Sequence, residues 1–172
     1  MLPSNFEFST EHLIISIKNM SIFDIDNMSE DILLNKANNF YKNYSFNLRI
    51  YKTKNGYRIF ITNKKFEIPK DRKILIKYCK ELSADVRYIN ALNIYFLNAF
   101  NTRISPKYLS KSDSGYDINT FFKKYEEYQN KSESVTRYIK SIGDGEILPE
   151  FETFIDEHDL FTKSFDKNCI LV

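Results

Sequence analysis

Apolar and polar residues alternate in two neighbouring segments, 46–54 and 57–62, that flank Asn55-Gly56. The alternation predicts two half-buried strands, each with one face toward the core. Asn-Gly favours a two-residue type I′ turn, because both residue types tolerate positive φ. One face of this hairpin is aliphatic, and the other is polar and aromatic. The turn predicts a register with Thr53 opposite Arg58, Tyr51 opposite Phe60 and Arg49 opposite Thr62.

Apolar residues recur at helical spacing in several other segments. Ser29 is the expected N-cap of the first helix, and Glu30 and Asp31 follow it where acids complement the helix dipole. The order of the elements predicts an α+β fold of one domain, residues 1–172, with a largely antiparallel, RRM-like sheet and helices packed on one face. The predicted helices are 30–43, 74–82, 85–93, 118–128 and 149–165, and the other predicted strands are 13–17, 22–26, 95–105 and 135–142.

The composition is that of a globular protein with a sizeable core. The chain has 172 residues, a formal charge of +2, 15 Phe and 12 Tyr. This balance excludes a nucleic-acid binder that depends on bulk positive charge, although it is compatible with a local basic patch. Two cysteines without metal-ligand spacing argue against a disulfide scaffold or a zinc site. Without a signal-peptide pattern or a membrane-spanning apolar stretch, the expected location is the cytoplasm.

Candidate chemistry begins with Asp24 and Asp26, at the end of an apolar strand. Residues two apart on a strand share a face, so the two carboxylates can bind a divalent cation such as Mg²⁺ or Mn²⁺. Arg58, on a neighbouring strand, offers a bidentate fork for phosphate, and Thr53 offers a hydroxyl. The structural alternative is equally simple. The aspartates then mark a strand exit and a helix cap, and Arg58 makes an ordinary ion pair.

This arrangement resembles the catalytic core of archaeo-eukaryotic-type primases and primase-polymerases. Asp24 and Asp26 match the family's acidic motif, and a helix and then a hairpin with Thr53, Gly56 and Tyr57 follow. Arg58 stands where the family has histidine. The resemblance implies that the acids bind metal, that the hairpin contacts the phosphates of the incoming nucleotide, and that a later acid completes the metal site, for which Asp85 is best placed.

A second resemblance covers more of the chain. Asp85-Val86-Arg87-Tyr88, the segment 100–107 and the segment 158–162 are similar to motifs of an uncharacterised group of small bacterial proteins. That resemblance implies no activity.

The leading hypothesis is therefore a diverged primase-polymerase core that binds a nucleotide or single-stranded nucleic acid, with metal-dependent nucleotidyl transfer as its possible activity. The alternatives are a non-catalytic adaptor or subunit that binds a protein partner, and a metal-dependent nuclease. The predicted site consists of catalytic Asp24, Asp26 and Asp85, phosphate-binding Arg49, Thr53, Arg58, Arg103 and Lys107, and base-stacking Tyr51 and Phe60, with Mg²⁺ or Mn²⁺ on Asp24 and Asp26.

Two remaining features favour structural interpretations. His12 and His158 have no second histidine at ligand spacing, so both are expected to be structural. Cys169-Ile170-Leu171-Val172 matches the sequence pattern of a prenylation motif, but a docked apolar tail is the preferred interpretation.

Overall fold

The computed structural model describes residues 6–8, 13–68, 70–87, 89, 99–106, 109 and 118–172. Its α+β class, antiparallel sheets and helices packed against them confirm the predicted fold class. No helix in these ranges is long and apolar enough to cross a bilayer.

The helices in the described part of the chain begin and end close to the predicted residues, whereas the predicted helix 85–93 falls mostly outside it. Ser29 precedes the first helix in an extended conformation, as an N-cap residue does. The last helix ends earlier than predicted, because Lys163 adopts φ 55° and its N–H caps the carbonyls of Asp159 and Leu160. The helices are α1 (Glu30–Tyr44), α2 (Arg72–Leu82), α3 (Ile118–Gln129) and α4 (Pro149–Thr162).

The strands form three small sheets. One has the order β1-β2-β6, a four-stranded sheet has the order β3-β5-β4-β8, and β7 pairs with β9. All pairs are antiparallel except β7 with β9. The strands are β1 (Phe6–Phe8), β2 (Leu13–Lys18), β3 (Met20–Asp26), β4 (Leu48–Thr53), β5 (Gly56–Lys65), β6 (Ala99–Arg103), β7 (Glu133–Ser134), β8 (Thr136–Ile142) and β9 (Ile170–Leu171).

The hairpin forms, but its predicted register is wrong by two residues. Tyr51 pairs with Arg58 and Arg49 with Phe60, so the loop is Lys54-Asn55 and Gly56 already belongs to β5. The reason is the third strand. A Cβ on Gly56 would collide with the backbone of Ile25 in β3, so glycine serves close approach between strands and not turn geometry. A register shift of two residues leaves every side chain on its predicted face of the sheet, since side chains alternate with period two.

The aliphatic face of the sheet is buried, as predicted. Leu48, Ile50, Ile59 and Ile61 have almost no exposed surface. Helices α1 and α2 pack against each other and contribute the aromatic cluster on this side, in which the ring centroids of Phe40 and Tyr78 are 5.1 Å apart.

The opposite face is covered as well, by α4. His158 lies edge-on to Tyr51 and Phe60, with ring centroids 4.7 and 4.9 Å apart. Both Tyr51 and Phe60 are fully buried. The prediction that these two rings are exposed and stack bases is therefore wrong, because α4 covers the face of the sheet on which they lie.

Polar groups under α4 form a buried network, in which only Nε2 of His158 lacks a hydrogen-bond partner among the described residues. Nη2 of Arg49 lies 2.6 Å from Oδ2 of Asp159, and Nε of Arg49 donates to the hydroxyl of Tyr51 at 2.6 Å. Nδ1 of His158 lies 3.1 Å from Oδ1 of Asp159. An ionised carboxylate only accepts hydrogen bonds, so Nδ1 carries the proton of a neutral ring. His158 is thus structural, as expected.

The three-stranded sheet meets the four-stranded sheet at β3. Asn19 joins β2 to β3 with φ 66°, and β6 packs beside β3. This junction brings residues of β6 next to the end of β3 that carries the aspartates.

The last described residues dock on the fold. Ile170 and Leu171 pair with β7, and the N–H of Val172 donates to the carbonyl of Ser134 at 3.0 Å. Cys169 is buried, in agreement with the docked-tail interpretation.

We expect the stability of this fold to fall as the pH is lowered below about 7. Burial lowers the pKa of His158 from its ordinary 6.5, despite the opposing effect of Asp159. The unfolded chain then binds a proton near pH 6.5 that the native state does not bind. The free energy of unfolding therefore falls by at most about 1.4 kcal/mol per pH unit. Denaturant unfolding between pH 7.5 and 5 (roughly the histidine titration range) measures this.

The variant His158→Asn should flatten that pH dependence, whatever its absolute stability. His12→Asn, which removes the chain's other histidine, is the matched control and should retain it. Equal slopes for wild type and His158→Asn would contradict the assignment.

Candidate functional site

A cavity of about 300 Å³ opens at the junction of the two larger sheets. Strands β3, β4, β5 and β6, the turn between β4 and β5, and the segment after α2 all contribute to its wall. Its lining residues are Asp24, Asp26, Thr53, Lys54, Asn55, Tyr57, Arg58, Asp85, Asn101, Arg103, Val135 and Val172.

An ion pair between Asp24 and Arg58 forms the floor of this cavity. Nε of Arg58 donates to Oδ1 of Asp24 at 2.8 Å. The two residues are direct neighbours across β3 and β5. The Arg58 side chain is only 8 % exposed, whereas Asp24 is 47 % exposed. Arg58 is therefore a buried cation whose counter-charge faces the opening.

A second guanidinium, that of Arg103, lies beside the first. Nη1 of Arg58 is 3.5 Å from the carbonyl oxygen of Arg103. Burial, followed by repulsion from Arg58, lowers the pKa of Arg103 to about 10, and Asp24 opposes this. Nε of Arg103 is buried and has no hydrogen-bond partner among the described residues. A buried cation, Arg58, and a partly buried one, Arg103, thus lie near a single carboxylate that pairs with Arg58, and Arg103 has unused donor capacity.

Acids surround the opening of the cavity. Asp26 is exposed there. Asp85 is tied to β3, because its N–H donates to the carbonyl of Asp24 at 3.0 Å. Its carboxylate is held by Arg87, whose Nε lies 3.0 and 2.9 Å from the two oxygens. Hydrogen bonds from Arg87 lower the pKa of Asp85 accordingly.

The predicted metal ligands fit a divalent cation only in part. Among the described residues, no three His, Cys, Asp or Glu side chains are grouped to hold a metal ion. Mg²⁺, however, often uses one or two carboxylates together with waters and substrate phosphates. Asp24 and Asp26, on one face of β3, would supply such a pair, and the cation would offset phosphate charge. The carboxylate of Asp85 is already engaged by Arg87.

Six of the predicted site residues meet at this cavity: Asp24, Asp26, Thr53, Arg58, Asp85 and Arg103. Thr53 accepts a hydrogen bond from the N–H of Gly56 at 3.1 Å, which fixes the turn beside the cavity. Tyr51 and Phe60 are buried under α4, and Arg49 pairs with Asp159 instead of joining the cavity. The predicted role of Arg49 in this site is therefore wrong. Lys107 lies outside the described residues.

Sequence reasoning missed several members of the wall. Asn101 is two residues before Arg103 on β6, so strand alternation places both on one face. That spacing was a usable signal. Val135 and Val172 come from distant segments and carry no local signal. Arg87 does not line the cavity but holds Asp85 there. It was visible in Asp85-Val86-Arg87, a spacing at which an arginine can hydrogen-bond the aspartate.

Comparisons of the chain with protein-family models, with curated proteins and with solved structures found no match. The geometry of the cavity is therefore what bears on function.

Two guanidiniums, Arg58 and Arg103, lie near one carboxylate, Asp24. Substitution of the carboxylate and substitution of Arg103 should therefore have opposite effects on stability. Asp24→Asn leaves both guanidiniums without a counter-charge and should lower the free energy of unfolding by about 1 kcal/mol or more, a modest value because Asp24 is half exposed. Arg103→Met removes a buried, underpaired cation and should leave stability unchanged or raise it.

Chemical denaturation of both variants beside wild type measures the difference. A large loss of stability in Arg103→Met would show that its guanidinium is well compensated in the native state, contrary to this description of the cavity.

Proposed function

We propose that the chain binds the phosphate groups of a nucleotide or of single-stranded nucleic acid in the cavity between the sheets. The observation that supports this most is that the partly buried guanidinium of Arg103, with its Nε unpartnered among the described residues, lies beside the buried ion pair of Arg58 and Asp24. A bound oxyanion would supply the missing counter-charge.

The chemistry of the wall supports phosphate in particular. Arginine forks match the geometry of phosphate oxygens, and Nε of Arg103 is buried without a partner among the described residues. Thr53, Asn55 and Asn101 also line the cavity and add hydroxyl and amide groups suited to the polar part of a nucleotide.

The acids at the opening support a ligand that brings a cation with it. A phosphate alone would be repelled by exposed Asp26, whereas a nucleotide carrying Mg²⁺ or Mn²⁺ would meet carboxylate ligands there. This combination is what the resemblance to primase-polymerase cores implies, and nucleotidyl transfer is the reaction class we propose for it. Arg58 and Arg103 would orient and neutralise the phosphates in that reaction.

Adenosine triphosphate with Mg²⁺ should raise the melting temperature of the wild-type chain, because a ligand that binds only the native state stabilises it. At a concentration of about 100 times Kd the gain is about 2.7 kcal/mol. Arg103→Met should lose most of this shift, since it removes the unused donors. Differential scanning fluorimetry or calorimetry measures the change.

Lys73→Met is the matched control, because Lys73 is an exposed cation on α2 outside the cavity lining. It should keep the full shift. A shift retained by Arg103→Met, or lost equally in Lys73→Met, would refute phosphate binding in this cavity.

Mn²⁺ should stabilise the chain more in the presence of the triphosphate than alone, since Asp24 and Asp26 are only part of a coordination sphere. Asp26→Asn should abolish the extra stabilisation, and Asp31→Asn, an exposed aspartate on α1, should not. Paramagnetic broadening of the ligand's phosphorus resonances gives a readout independent of activity. Equal extra stabilisation by Mn²⁺ in the two variants would contradict a metal site at Asp26.

A further inference from the structure

A second cavity, of about 540 Å³, lies at the C-terminal end of α4 and shares none of the lining residues of the first. Arg49, Lys163 and Phe165 contribute to its wall, together with residues of α4. The proposed nucleotide site does not involve this cavity.

Apolar side chains are unusually exposed beside it. Leu160 is 69 % exposed and Phe165 is 58 % exposed. In the described part of the chain, the other exposed large apolar residues are Ile32, Ile74 and Ile170, and the first two are less exposed. Adjacent exposed apolar groups next to a concave surface are typical of a protein-binding site.

Both cations of this cavity already have partners within the fold. Arg49 pairs with Asp159 at 2.6 Å, and its guanidinium carbon lies 4.5 Å from the ring centroid of Tyr138. Nζ of Lys163 donates at 2.8 Å to the carbonyls of Tyr128 and Lys131. An incoming anion would therefore have to displace these contacts.

The acids, by contrast, remain exposed. Asp156 is one helical turn before Leu160, so the two side chains share a face of α4. Asp156 makes no ion pair with any described residue. Asp166 follows Phe165, and its carboxylate accepts a hydrogen bond from the N–H of Asn168 at 3.0 Å. Hydrogen bonds from Cys169 and the charge of Lys163 lower the pKa of Asp166. The lining nevertheless holds three carboxylates against two cations, and Asp156 and Asp166 are exposed. We call Asp156, Leu160, Phe165 and Asp166 the acidic-apolar surface.

We propose that the acidic-apolar surface binds a basic, amphipathic segment of a partner protein. Apolar side chains of that segment would pack on Leu160 and Phe165, and its lysines or arginines would meet Asp156 and Asp166. The same negative charge disfavours nucleic acid and anionic lipid as occupants.

A fluorescein-labelled amphipathic peptide of leucine and lysine is the probe, with the same peptide carrying glutamate for lysine as its counterpart. Fluorescence anisotropy with the full chain should show binding of the lysine peptide only, weakening as salt is added. Leu160→Ser and Asp156→Lys should each weaken binding about tenfold. Phe165→Ser is a second apolar variant, and melting curves establish that each variant is folded.

Ile32→Ser and Asp31→Lys are matched controls, because both residues are exposed on α1, and they should bind the lysine peptide as wild type does. The proposal is overturned if the glutamate peptide binds equally well, if the controls lose as much affinity, or if no peptide binds. It is also overturned if a labelled oligonucleotide occupies the surface, or if light scattering shows a dimer that Leu160→Ser dissociates.

Discussion

Burial of both faces of the four-stranded sheet is the constraint that orders the rest of the molecule. Once α4 covers the second face, each charged side chain on it must find a partner or remain at an opening, because an unpaired buried charge is costly. Arg49 finds Asp159, and His158 donates to the same carboxylate. Arg58 finds Asp24 at the other end. Arg103, on the neighbouring sheet, has no ion pair with a carboxylate of the described residues, and this shortfall defines the candidate site.

The two cavities have opposite electrostatic character although they lie on one sheet face. At the junction of the sheets the deep groups are cationic and the acids stand at the opening. At the end of α4 the cations are satisfied and the remaining charge is acidic beside exposed Leu160 and Phe165. Buried Tyr51, Phe60 and His158 separate them. A chain with little net charge can therefore present surfaces suited to unlike ligands.

Local pattern was sufficient for the four described helices, the longer strands and the two faces of the hairpin, because side-chain alternation depends only on strand periodicity. It did not predict the short strands β1, β7 and β9. It failed wherever a distant segment decided the outcome. Gly56 was interpreted as a turn residue, but its role is contact with Ile25 on another strand. Tyr51 and Phe60 were expected to be exposed, since no residue near them in sequence indicates that the helix with His158 packs on them. Asp24, Asp26 and Arg58 were placed correctly around one cavity, because strand pairing alone brings them together. Val135 and Val172 were beyond such reasoning.

The wall of the first cavity draws on Asp24 near one end of the described chain and on Val172 at the other. Contacts so remote in sequence form late, since loop-closure entropy must be overcome before they contribute. The hairpin β4–β5 can assemble early from local pairing, whereas the pocket beside it is complete only when β6 and the β7–β9 pair have joined. Fragments that preserve the hairpin would consequently lack the cavity, because its wall needs segments from most of the described chain.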